Sequence, residues 1–331
     1  MNKRTFTTLF AALLAIGSAA VPLSAAAQAK VVWKASDVHP LGYPTVEAIM
    51  QMGKSLEAQT NGRISIQMYP SMQLGGEKEM IEQAQVGALQ IARISVGAMG
   101  PVVDELNVFN LPFIFRDEAH MRKVIDGPIG AELLEKINSN PASRIVALGW
   151  MDAGVRNVYG KKSAATPADL KGQKIRMMGN PIFVETMNAM GGNGVAMGFN
   201  ELYAALETGV VDGAENNPPS FYSTNHHKAG AKFYTQTNPL IIPEILVMSK
   251  LAWDKLGPAD QAAVKKAALE AQQEQRVLWD KAVAESTAKL KADGVEFIEM
   301  DNQAFFTATA PVRAKYGAAF ADLMKRIDAV K

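Results

Sequence analysis

The chain of 331 residues contains no cysteine. That absence excludes a thiol nucleophile, a disulfide framework, a Cys-ligated zinc or iron–sulfur centre and a lipid-modified N-terminal cysteine. Neither sign of charge dominates. There are 34 Lys+Arg against 33 Asp+Glu, a net +1, so no basic field points to nucleic acid. Histidine is scarce, with His39, His120, His226 and His227 only. No HExxH zinc helix, GxSxG nucleophile elbow or Walker loop occurs. The run Gly191-Gly192-Asn193-Gly194 suggests a phosphate cradle, but Met197 stands where GxGxxG needs its last glycine. It reads instead as a helix end and turn. No clustered carboxylate pair offers acid–base chemistry. The adjacent His226-His227 reads as a solvated turn, since neighbours on a regular element cannot both face one metal. No cofactor and no metal are expected.

What is present describes a globular chain. Hydrophobic residues make up 48% and charged residues 20%, which excludes a disordered or collagen-like polymer. The length exceeds what one core usually organises, so two lobes are expected. Residues 1–29 have the form of an export signal. Lys3 and Arg4 make a basic start, residues 6–20 are apolar, and Ala27-Gln28-Ala29 fits a small-residue cleavage site. An uncleaved membrane anchor is the alternative, but the apolar stretch is short for a spanning helix. Cleavage after Ala29 removes two positive charges and leaves a net −1 on 302 residues. No later stretch is apolar enough to cross a bilayer, so an exported, periplasmic protein is expected.

Turn and helix signals divide the remainder. Residues 31–36 read as a strand, 44–60 as a helix with Pro44 near its first position, and 64–69 as a second strand. Gly75-Gly76 opens another helix, and residues 89–94 form a third strand. This alternation is that of a parallel sheet covered by helices. The rhythm restarts at residues 145–150 and continues through strands at 174–178, 195–197 and 210–212, so a second α/β lobe follows the first. Residues 259–293 contain neither Gly nor Pro, with Gly257-Pro258 before them and Gly294 after. As one helix at about 1.5 Å per residue they would span roughly 50 Å and cross both lobes. Two shorter helices joined at a kink are the alternative.

Arginines inside apolar strands are the informative anomaly. Arg93 lies within residues 89–94 and Arg176 within 174–178, while Arg156 follows Gly154-Val155 just past 145–150. A guanidinium in a core strand is costly unless paired. Each either makes a structural ion pair, with Glu215 or Asp212 as partner, or faces a water-filled cleft. In a cleft its planar fork would take a ligand carboxylate through two hydrogen bonds. Ligands of open α/β sheets sit beyond the carboxyl ends of the strands. Residues 212–219 (DGAENNPP) read as a dense polar turn in which Asn216 offers donors and an acceptor, though Asn-Pro neighbourhoods favour turns anyway.

At these residues the chain resembles the extracytoplasmic solute receptors of tripartite ATP-independent periplasmic (TRAP) transporters, of the C4-dicarboxylate-receptor (DctP) type. The resemblance runs from about Val31 to about Ala310. It rests on residues 69–77 (YPSMQLGGE), 111–113 (LPF), 169–176 (DLKGQKIR), 201–213 (ELYAALETGVVDG) and Glu215-Asn216, in that order and spacing. It implies an α/β fold of two lobes, with a ligand cleft between them and a long helix spanning both. Lobe I would comprise residues 30–153 plus about 242–281, and lobe II residues 154–241 plus about 282–331. It also implies a receptor without catalytic residues, delivering its ligand to the TRAP permease subunits. By position, Arg176 matches the arginine that clamps the ligand carboxylate, and Arg156 a second arginine lining the cleft. Asn216 matches an asparagine that also holds the ligand, Phe199 an aromatic wall, and Glu77 a polar contact at a helix start. His39-Pro40 matches a turn that touches the ligand.

One residue departs from the family pattern. Arg93 would add a second cation, or a donor for sugar hydroxyls. Together with Asn216-Asn217 and with Met178-Gly179-Asn180 after the clamp, it resembles members that bind sugar acids such as uronates. Hexuronates are the first expected ligands, then aldonic acids and C4-dicarboxylates. The expected partners are a small-molecule carboxylate and the permease, without nucleic acid, and the receptor is expected to be a monomer. A periplasmic lyase or hydrolase of a sugar acid would need a general base, for which only His39 and Glu77 are candidates. A sensor-linked binding protein would use the same cleft. Closure is expected about the crossovers near Asp152 to Arg156 and Pro239 to Pro243.

Overall fold

The computed structural model describes residues 30–300 and 302–331; the expected export signal lies outside the described residues. The strands are β1 (Val31–Ser36), β2 (Ile64–Tyr69), β3 (Ile91–Ser95), β4 (Ile145–Met151), β5 (Val155–Gly160), β6 (Lys174–Met177), β7 (Asn193–Ala196), β8 (Gly213–Asn216), β9 (Phe233–Ile241), β10 (Glu244–Ser249) and β11 (Glu296–Ile298). They form two sheets, ordered β2-β1-β3-β10-β4 and β11-β9-β5-β8-β6-β7. Each is the floor of one α/β lobe.

The chain leaves the first sheet through Asp152-Ala153-Gly154, between β4 and β5, and returns through Ile242-Pro243, between β9 and β10. On its return β10 inserts antiparallel between β3 and β4, setting Glu244 opposite Ser95 and Leu246 opposite Arg93. Residues far apart in sequence thereby meet at one sheet end. Gly154 has φ +61°, and a Cβ there would lie 2.7 Å from Glu118 Oε1, so the first crossover requires glycine.

Residues Pro258–Ala292 form one uninterrupted helix of 35 residues, not two. Gly257 precedes it, and Pro258 stands where a missing N–H costs nothing. Its Val264, Ala267, Ala268 and Ala271 pack with Ile49, Met52 and Leu56 of the first lobe. Trp279 packs with Tyr43 and Ala153 at the crossover. Leu290 joins Tyr159 and Phe221 in the second lobe. At the crossover, Gln275 accepts from Asp152 N at 2.9 Å and donates to Asp152 O at 2.9 Å, as a paired strand would. The final helix, Ala321–Asp328, docks on the helix Pro128–Ser139 through Arg326–Glu132, and on the preceding helix Glu118–Asp126, whose His120 Nε2 meets the Ile327 carbonyl.

Two local expectations are corrected. The strand expected at residues 210–212 is β8, at Gly213–Asn216, inside what reads as a polar turn. All four residues are buried between β5 and β6, because Arg156 supplies Glu215 with its partner. The pair His226-His227 is buried, not solvated. His226 Nδ1 meets Tyr159 Oη at 2.7 Å, and His227 Nε2 meets Asp293 at 3.1 Å.

Candidate ligand cleft

A cavity lies between the two sheets. His39, Glu77 and Arg93 reach it from the first lobe, and Arg156, Arg176, Met178, Phe199 and Asn216 from the second. Val38, Ser95, Ser220 and Glu244, which sequence reasoning missed, complete the wall. Among the described residues, no group of three or more His, Asp or Glu side chains is placed to hold a metal ion.

The three arginines differ in how they are compensated. Arg93 is 2% exposed, and every nitrogen of its guanidinium already meets a protein group. Nε and Nη2 reach Asp37 Oδ1 at 3.2 and 2.5 Å, and Nη2 also lies 2.8 Å from His39 Nδ1. Nη1 donates to Glu77 and to Glu244, each at 2.7 Å. The spare cation expected of Arg93 is therefore absent, because three carboxylates surround it. Arg156 makes the ion pair weighed for it: Nε donates to Glu215 Oε2 at 2.5 Å, and Nη2 to Oε1 at 3.1 Å.

Arg176 has no carboxylate partner among the described residues. Its Nε donates to the Met197 carbonyl at 2.9 Å, and its buried Nη1 meets no protein acceptor. Its guanidinium carbon stands 5.5 Å from the centre of the Phe199 ring. Burial pushes its pKa below the ordinary arginine value, against the opposing pull of Glu215. A buried cation with an open donor is costly in the empty protein.

The remaining groups set orientation. His39 stacks on Tyr43 with ring centres 3.7 Å apart, and its Nδ1 and Nε2 meet Asp37 at 2.9 Å and Ser220 at 3.0 Å. Burial, and then Arg93, hold its pKa below the ordinary histidine value. With both ring nitrogens engaged, it is a structural hub and not a poised base. Asn216 accepts from Asn217 N through Oδ1, and no protein bond among the described residues uses its Nδ2. Asn180 does not line the cavity. It caps the helix Pro181–Ala189 by accepting from Ile182 N at 3.0 Å. Its Nδ2 reaches across to Gly97 O at 3.1 Å and Asn107 Oδ1 at 3.0 Å, so it ties the lobes together instead of touching a ligand.

Glu244 had one legible signal, a lone charge between apolar Ile241-Ile242 and Ile245-Leu246-Val247. Ser220 had none, because its role comes from His39 and Tyr43 in the other lobe.

Comparison with known proteins gives a consistent family. Residues 35–319 match the DctP family, "Bacterial extracellular solute-binding protein, family 7". A TRAP periplasmic solute-binding protein from Pseudomonas putida F1, solved with bound D-glucuronate, is 56% identical, with TM-score 0.89 over 91% of this chain and 98% of its own. One from Citrobacter koseri, also with D-glucuronate, is 48% identical, with TM-score 0.89 over 91% of this chain and 100% of its own. The Citrobacter koseri protein in its apo, open form gives TM-score 0.79 at 47% identity, over 90% and 98%. One from Xanthobacter autotrophicus Py2, with β-D-galacturonate, is 39% identical, with TM-score 0.87 over 90% and 100%. The chain therefore belongs to the DctP family and is a solute-binding receptor of the TRAP type, not an enzyme.

Proposed function

We propose that this receptor captures a hexuronate in the periplasm, holds its carboxylate on Arg176, and delivers it to TRAP permease subunits. The observation that carries this reading is the contrast among the three cleft arginines: among the described residues, Arg93 and Arg156 have carboxylate partners and Arg176 has none. The rest of the wall favours a hydroxylated ligand. Glu77 accepts from sugar hydroxyls, while Asn216 Nδ2 donates. An acid without hydroxyls would leave these groups dry and unpaired. Relatives whose structures hold glucuronate or galacturonate support the same ligand class. All of these groups come from one chain, which supports a monomer. Export through a cleaved signal at residues 1–29 fits the family's periplasmic place.

D-glucuronate or D-galacturonate should raise the melting temperature of the mature protein, whereas unsubstituted fatty or aromatic acids should not. Saturation at a hundredfold excess over Kd adds about 2.7 kcal/mol of stability. A screen answered only by unsubstituted acids would overturn the hexuronate reading.

Binding is coupled to lobe closure in this reading. The chain superposes better on the glucuronate-bound Citrobacter koseri receptor than on its open form, 0.89 against 0.79, which supports a closed arrangement here. A Cβ on Gly97 of the first lobe would lie 2.5 Å from Phe183 Cε2 and 2.7 Å from Met178 Cε of the second. Overpacking a contact made on closure costs about 1–3 kcal/mol. Gly97→Ala is therefore expected to weaken uronate binding roughly 5- to 150-fold. Small-angle scattering should then show a larger radius of gyration with ligand than the wild type has. Unchanged affinity would mean that closure does not depend on this contact.

A further inference from the structure

The charges around the cavity do not balance once an acid is bound. Arg93, Arg156 and Arg176 face Asp37, Glu77, Glu215 and Glu244, so three cations already meet four carboxyl groups. A uronate adds another anion in an enclosed space, where uncompensated charge is costly. We propose that Glu244 is a further ligand-recognition residue that carries a proton in the loaded receptor, so that loading takes up one proton. The inference rests on the hexuronate reading above.

Of the four carboxyl groups, Glu244 accepts the fewest protein hydrogen bonds among the described residues. Glu215 keeps two nitrogens of Arg156 to itself. Asp37 takes Nε and Nη2 of Arg93, the hydroxyl of Thr45 at 2.5 Å and the backbone N–H of His39 at 3.0 Å. Glu77 takes Arg93 Nη1 and also Ser95 N at 2.8 Å. Glu244 has one bond, from its Oε2 to the same Nη1 that serves Glu77. Its Oε1 makes no protein hydrogen bond among the described residues, and the residue is 4% exposed on the cavity wall.

The groups facing Glu244 come from every neighbouring element. They are Arg93 on β3, Glu77 at the start of its helix, Arg156 on β5, and Tyr43 ahead of the helix Pro44–Gln59. Asp37 and His39 stand behind Arg93 in the turn after β1, and β4 sets the uncharged Met151 opposite. Burial, reinforced by Glu77, outweighs the pull of Arg93 and raises the Glu244 carboxyl to about 7. A neighbouring uronate carboxylate raises it further. With its proton, Glu244 donates to a ligand ring or carboxyl oxygen that its ionised form repels. A loaded receptor then holds more protons than an empty one. Affinity should fall as pH rises above about 7, approaching tenfold per pH unit.

Calorimetry of D-glucuronate binding to the mature receptor, in buffers of different ionisation enthalpy, counts the protons directly. Uptake should be small near about pH 6 and approach one proton near about pH 8. In Glu244→Gln the uptake should vanish and the affinity should stop falling with pH, whereas Glu77→Gln should retain the uptake. Uptake that survives in Glu244→Gln, or that disappears only in Glu77→Gln, overturns the assignment. Should Glu244→Gln not fold, the wild-type count decides: uronate binding with no proton uptake at any pH overturns this inference and leaves the hexuronate reading standing. Failure of the wild type to bind any uronate overturns both.

Discussion

Replacing Arg176 by Met is expected to weaken uronate binding at least about 30-fold and leave the empty receptor at least as stable as the wild type. The two halves of this expectation come from one observation. Arg176 is buried with one nitrogen on a carbonyl and none on a carboxylate. In the empty protein its charge is therefore a cost, and a flexible apolar side chain of similar length removes that cost. On the proposed reading, the same charge holds the ligand anion in the loaded protein. Truncating one partner of a buried charge pair costs about 2–5 kcal/mol. That is roughly 30-fold to several-thousand-fold in affinity. Arg176→Lys should fail nearly as badly, because an ammonium cannot present two parallel donors to a carboxylate. Calorimetry measures the first half and urea unfolding of the empty protein the second. Affinity within threefold of wild type would remove Arg176 from the ligand. A large loss of apo stability would make it a structural residue instead.

The sequence carried the anomaly but not its resolution. A charge in an apolar strand is visible at Arg93, Arg156 and Arg176 alike. Which of them is free depends on strand order. Arg156 meets Glu215 because β5 lies beside β8, and Arg93 meets Glu244 because β10 inserts beside β3. Neither neighbour is local, so no window of residues reveals it. The same topology hid Glu244, which comes 151 residues after Arg93. The β8 strand was misread for a different reason. Hydropathy assumes that core strands are apolar, and here a buried ion pair satisfies the polar residues. Asn180 was legible and misassigned, since an Asn directly before Pro181 is a strong helix-cap signal. The long helix Pro258–Ala292 was plain, because thirty-odd residues without Gly or Pro between two glycine stops leave little else to form.

Glu215→Gln is expected to cost the empty receptor more stability than any other single change at the cleft. Glu215 is 1% exposed and takes both Nε and Nη2 of Arg156. Glutamine keeps the shape but removes the charge, so Arg156 and Arg176 are left lining one cavity without the anion that Arg156 relied on. Removing one partner of a buried pair in this way costs about 3–5 kcal/mol. The consequence for binding runs in the opposite direction. A uronate carboxylate entering this cavity now meets one fewer negative charge, and it partly replaces the missing partner. Ligand-induced stabilisation should therefore exceed that of the wild type, since a ligand that binds only the folded state adds stability in proportion to the logarithm of its affinity. The urea midpoint of Glu215→Gln should be low without ligand and recover with D-glucuronate, whereas Arg176→Met should show a normal midpoint that the ligand does not move. A Glu215→Gln unfolding free energy within about 1 kcal/mol of wild type would show that the ion pair contributes little to the fold. Loss of the ligand response in that variant would place the Glu215 side chain on the ligand itself, and the compensation of Arg156 would then be incidental to its role.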